Sequence, residues 1–131
     1  MKINIEVIPH KQERYNTIGD YWIDDKEVVQ IRVSELGNRN QTDARRYEFL
    51  VILHELIEMG LCKFAGVDFR SIDNFDKDYE SQRQPEDMAE PGDDPKAPYK
   101  KQHLIATGIE KIVAAELGVD WQTYETTAAK V

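Results

Sequence analysis

Cysteine is nearly absent from this 131-residue chain. Cys62 stands alone, so no internal disulfide can form, which is compatible with a reducing compartment. Long apolar runs are missing too. The longest, Phe49 to Phe64, is interrupted by His54, Glu55 and Glu58, and falls short of the roughly 18 apolar residues a membrane span needs. The opening Met1-Lys2-Ile3-Asn4-Ile5-Glu6 alternates in polarity and lacks a signal-peptide core, so the expected location is the cytoplasm, with no membrane attachment. Positive charge is in deficit. With 17 basic and 25 acidic residues the net charge is −8 and the pI about 4.9, which argues against nucleic acid as a partner. Repeats and low-complexity tracts are also missing. The length suits one domain with a workable core.

What is present is concentrated between Phe49 and Phe64. As a helix this run is apolar on nearly every side and so belongs in a core. Burying His54, Glu55 and Glu58 there is costly unless they are paired or bind a metal. Residues four apart lie one turn apart on the same helix face, so His54 and Glu58 point together, while Glu55 lies about 100° round from His54. An imidazole and a carboxylate at this spacing, with a second carboxylate between, can hold a divalent ion and place a general base beside its water.

His54-Glu55-Leu56-Ile57-Glu58 resembles the HExxH helix of zincin metalloproteases, with Glu58 where the second histidine would stand. The resemblance implies that His54 is a ligand and Glu55 the base, and that a third ligand comes from a later helix. Glu58 departs from the pattern. A carboxylate can ligate zinc, but it lowers the positive charge at the site and makes bound water less acidic. The wider chain is also similar to small bacterial and phage proteins that carry such a helix.

Around this helix the periodicities predict an α+β domain over 1–131: a small antiparallel sheet, about 2–34, then two principal helices. Ile3, Ile5 and Val7 alternate with polar residues, as in a half-buried strand. Gly19-Asp20 reads as a turn, Tyr21-Trp22-Ile23 as a second strand, and Glu27–Val33, after a turn at Asp24-Asp25-Lys26, as a third. By the zincin resemblance, 28–33 would be the edge strand that lies over the active helix. The metal-site helix runs about 43–63, capped by Thr42 or Asp43 and stopped at Gly66. Residues 66–97 form an acidic loop holding Pro85, Pro91 and Pro95, with one short helix at Asp73–Gln82. It reads as a solvated run, a lid, or the source of an extra ligand. Pro98 opens a second helix, about 98–117, with a stripe of Leu104, Ile105, Ile109, Ile112, Val113 and Leu117. Asp120 caps a short last helix from Trp121 to about Ala128.

A zinc site on one helix needs another ligand from elsewhere. The chain has three histidines. His10, beside Pro9 in a polar loop, reads as solvated; His103, early in the second helix, can face His54. Glu110, two turns later, can orient a ligand or replace one. Cys62 reads as a small buried hydrophobe. The expected metal set is therefore His54, Glu58 and His103, with one divalent ion, Zn²⁺ the first choice, although two imidazoles and a carboxylate also suit iron. The expected activity is hydrolysis of a peptide or small-molecule amide by metal-activated water, with Glu55 as general base. Two rivals stand beside it. One is a zincin-like module that binds metal or partners without catalysis. The other starts from Glu55-Leu56-Ile57-Glu58 as an ExxE, similar to the first half of the magnesium motif in all-α MazG-type nucleotide pyrophosphohydrolases. Its second half would be Glu90-Pro91-Gly92-Asp93, which Pro and Gly keep from being helical.

Overall fold

The computed structural model describes residues 1–37 and 43–131; the cap assigned to Thr42 lies outside them. The chain is α+β as expected. Strands β1 (Ile3–Ile8), β2 (Gly19–Ile23) and β3 (Val29–Ser34) are followed by helices α1 (Ala44–Ala65), α2 (Phe69–Ser81), α3 (Lys100–Glu116) and α4 (Trp121–Ala129).

The sheet is mixed, which corrects the antiparallel expectation. Its order is β1-β3-β2, with β2 antiparallel to β3 but β1 parallel to it. The hairpin behaves as its sequence suggests. Asp24 Oδ1 accepts from the amides of Lys26 and Val28, closing the turn into β3. The parallel pair arises from residues 9–18. Ile8 lies beside Ser34, and Gly19 beside Val33, so this segment steps across the end of β3 and starts β2 on the far side. Gly19-Asp20 is thus the start of a strand and not a turn.

In β3 the buried Val29, Ile31 and Val33 alternate with the half-buried Gln30 and Arg32, as a central strand with one face on the core requires. Helix α1 packs against β2 and β3 and against α3. β1 lies on the edge away from this cover, which leaves Ile5 and Val7 exposed instead of half-buried. The strand at 28–33 lies at the centre of the sheet; the edge strand under α1 is β2. The edge expected at 28–33 therefore falls to β2.

Asp43 stands just before α1, where its side chain pairs with Arg46 and does not cap the helix. The helix ends at Gly66, left-handed at φ 76°, with Val67 N donating to Cys62 O at 2.9 Å. Cys62 is wholly buried, as its residue type suggested. α2 is longer than the short helix expected, because Asp68 caps it by accepting from Arg70 N. Much of the supposed acidic loop is therefore helical, with Ile72 buried. α3 starts at Lys100 with Pro98 in the preceding turn, so the proline lies before the helix and not in its first turn. Asp120 caps α4 as expected, and Tyr124 packs on Tyr47 and Trp121.

Leu50 on α1 is fully enclosed and joins the sheet residues in one core. Leu50→Ala is expected to cost about 2–5 kcal/mol, read as a lower urea midpoint with an unchanged slope.

Candidate metal centre

The centre forms where α1 and α3 face each other in opposite directions. His54 meets Glu110, and Glu58 one turn on meets His103. His54, Glu58, His103 and Glu110 are all at least nine-tenths buried; on α3 the buried face is His103, Ala106, Glu110 and Ala114, which corrects the expected stripe, whose Leu104, Ile105 and Ile112 are exposed.

Three atoms converge. His54 Nε2 is 3.0 Å from Glu58 Oε2 and 3.1 Å from His103 Nδ1, and His103 Nδ1 is 2.9 Å from the same Oε2. Hydrogen bonds alone suit this triangle poorly. A proton on either nitrogen points at Oε2 or at the other nitrogen, and a second proton would face the first across 3.1 Å. A cation suits it well, because all three atoms can offer lone pairs and tetrahedral ligands about 2.0–2.1 Å from zinc lie roughly 3.3 Å apart. His54, Glu58 and His103 are thus brought together as the sequence predicted, and their geometry fits the group.

The other polar atoms of these side chains are also placed. His54 Nδ1 is 2.8 Å from Glu110 Oε1, so Glu110 lies behind the imidazole and not among the three converging atoms. Glu58 Oε1 accepts from Tyr21 Oη at 2.7 Å, which leaves Oε2 alone to face the imidazoles. Burial opposes ionisation of Glu58, but hydrogen bonds from His103 and His54 outweigh it and hold the carboxyl at about 2. Burial likewise opposes charge on His103, yet Glu58 and Glu90 raise it to about 10. For His54, Glu110 and Glu58 overcome burial and hold it well above 6.5.

Glu55 points elsewhere. It lines a cavity of about 720 Å³ together with His54, Glu58 and His103. Its carboxylate lies against the backbone of Gly19, where an added Cβ would come within 2.5 Å of Oε1. Burial first, then the nearby Glu58, raises Glu55 well above the usual carboxylate range. Across the same cavity Asp76 of α2 accepts from Tyr15 Oη at 3.2 Å and from Tyr99 Oη, and burial pushes it up to about 7. His10 is tied to Ser34 and Asn16 and takes no part in the centre.

Sequence reasoning missed Tyr21, Gly19, Asp76 and the exact reach of the 90–93 turn. Only the last carried a signal, since the acidic segment was a stated source of extra ligands. Comparison with protein-family models, curated proteins and solved structures found no match for this chain.

The pair Glu58–His103 sets a stability window for the metal-free protein. Glu58 is depressed, so its contribution is full above 4.5 and is lost as pH falls through about 2. His103 is raised, so its contribution is full below 6.5 and is lost as pH rises through about 10. Thermal melts of metal-free protein are expected to show this pair's share of stability falling below 4.5 and above 6.5, and His103→Gln is expected to lessen the alkaline decline, which the raised His54, Glu55 and Asp76 share.

Proposed function

We propose that this chain is a zincin-like, divalent-metal-dependent hydrolase of a peptide or amide bond, with Zn²⁺ the preferred ion. One observation carries the reading: three buried ligand atoms from two helices converge within 3.1 Å of one another, and Glu55 lies beside them on the same cavity. His54 Nε2, Glu58 Oε2 and His103 Nδ1 would hold the ion. When bound, such an ion polarises a carbonyl and acidifies water.

The chain's own residues supply the rest. Glu55 takes the proton of the attacking water on its carboxylate and returns it to the leaving amine. Its raised affinity for protons makes it a stronger base than a solvated carboxylate. Glu58 adds a negative charge that a histidine would not. Tyr21 offsets part of this, because the hydroxyl bound at Oε1 draws electron density from the carboxylate and weakens it as a donor. The cavity has room for an extended segment of substrate beside Glu55.

A non-catalytic metal module is the second reading, favoured by the carboxylate ligand and by the close seat of Glu55 on Gly19. The nucleotide pyrophosphohydrolase reading loses ground, since Pro91–Asp93 is a short 3-10 turn and gives no second motif helix.

Elemental analysis of the purified protein is expected to give about one zinc per chain, lost in His54→Ala and in His103→Ala. Glu55→Gln is expected to keep the zinc while lowering cleavage of a fluorogenic peptide library by about 10²–10⁴-fold. Full zinc with no cleavage by wild type would favour the non-catalytic module. No zinc even after incubation with the metal would end both metal readings.

A further inference from the structure

Both candidate histidine ligands turn their second ring nitrogen toward carboxylates, but the two sets are held in different ways. Glu110, at His54 Nδ1, is buried and fixed on α3. The groups at His103 Nε2 come from the turn between α2 and α3: Glu90 Oε2 at 2.9 Å and Asp93 Oδ1 at 3.3 Å, with side chains 59% and 54% exposed. His103 Nε2 is itself buried and has no aligned hydrogen bond, although these oxygens lie beside it. Gly92 of the same turn rests on the imidazole, so closely that a Cβ there would overlap the ring. The turn packs on α2 and α3 and is tied by Lys100 Nζ to Asp93 O at 2.9 Å.

We propose that Glu90-Pro91-Gly92-Asp93 is a strap that fixes His103 as an Nδ1 ligand and governs how fast the ion leaves the centre. The inference rests on the metal reading above. A neutral imidazole carries one proton, and a carboxylate at Nε2 keeps it there, leaving the Nδ1 lone pair free to ligate. Gly92 seats the ring in the plane that aims Nδ1 at His54 Nε2 and Glu58 Oε2; any side chain at this position would lift the turn away. α1, α3 and Tyr21 of β2 back the centre with buried groups, and the side left open is the cavity that Glu55 also lines. The strap is the one side of the centre built from exposed carboxylates on a short turn, and its four residues line the cavity. An ion entering or leaving by the cavity passes along the strap, and because the strap holds His103, none of its residues need be a ligand for it to set retention.

The test measures zinc affinity with a competing chromophoric chelator, and zinc release under chelator challenge. It compares wild type with Glu90→Gln/Asp93→Asn, with Gly92→Ala, and with Glu86→Gln/Asp87→Asn, which removes the same charge from the same segment. The first two variants are expected to bind zinc about 10- to 100-fold more weakly and to release it faster, with the control unchanged. Long-range ¹H–¹⁵N spectra of the zinc-loaded wild type are expected to show His103 protonated at Nε2 and His54 at Nδ1. Wild-type affinity in both strap variants, equal weakening in the control, or a His103 proton on Nδ1 would each overturn the strap. Melts of the metal-free variants separate a lost strap from a lost fold. Absence of zinc binding by wild type is a different failure, that of the metal reading, and the strap falls with it.

Discussion

Glu58 is ionised where ionisation is opposed: 4% exposed, on a helix whose neighbours are apolar, and still held at about 2. Only partners at close range can do this, and they come from every element that touches the centre. His54 is one turn back on α1, His103 comes from α3, and Tyr21 from β2. Each of these contacts fixes a degree of freedom. The facing of 54 with 110 and 58 with 103 sets the register of the two long helices, and the Tyr21 bond sets the height of β2 along α1. Removing one partner would leave an uncompensated buried charge, the costliest kind of defect in a core.

α1 offers an internal contrast. Glu48, less than two turns before His54, is as deeply buried as Glu58, yet it is an ordinary structural carboxylate. It accepts from Leu36 N at 3.0 Å and pairs with Arg45, so its charge is met by a backbone donor and a guanidinium. Glu58 meets no such fixed cation. Its partners are two imidazoles that can either carry protons or give them up to an ion. Burial alone therefore does not mark a functional carboxylate; the chemistry of its partners does.

The parts of this arrangement carried by local sequence were legible. The i, i+4 spacing placed His54 and Glu58 on one face, and a helix over 98–117 could bring His103 to them; the face it packs was misjudged, because small Ala106 and Ala114 let the helices close while the larger Leu104, Ile105 and Ile112 stay exposed. Gly66 and Asp120 marked helix ends because capping is a local property. What was not legible depends on contacts between distant segments. The alternation in 3–7 is the same for a parallel or an antiparallel partner, so it could not reveal that β1 pairs parallel to β3. Nor could it show that β1 is an edge, which is why Ile5 and Val7 are exposed. Tyr21 looked like any strand aromatic, and Asp76 like any charge in an acidic run, because their roles come from what α1 and α3 place opposite them.

The centre also has a sidedness that bears on its chemistry. On the α1–α3 side two of the three ligand candidates are backed by a buried group, Glu110 behind His54 and Tyr21 behind Glu58. That side is pre-organised, and pre-organisation is what both a structural and a catalytic metal site need. The cavity side is different. Glu55 and Asp76 are carboxyl groups with raised proton affinity that line the same space and have no basic side chain bonded to them among the described residues. A purely structural site gains nothing from a carboxyl group such as Glu55 facing the cavity, since it costs desolvation without contributing a bond to the ion. A hydrolase does gain, because it needs a group beside the ion that can accept a proton and give it back. The hydrolase proposed above uses both sides, the pre-organised one to hold its ion and the cavity side to move its proton.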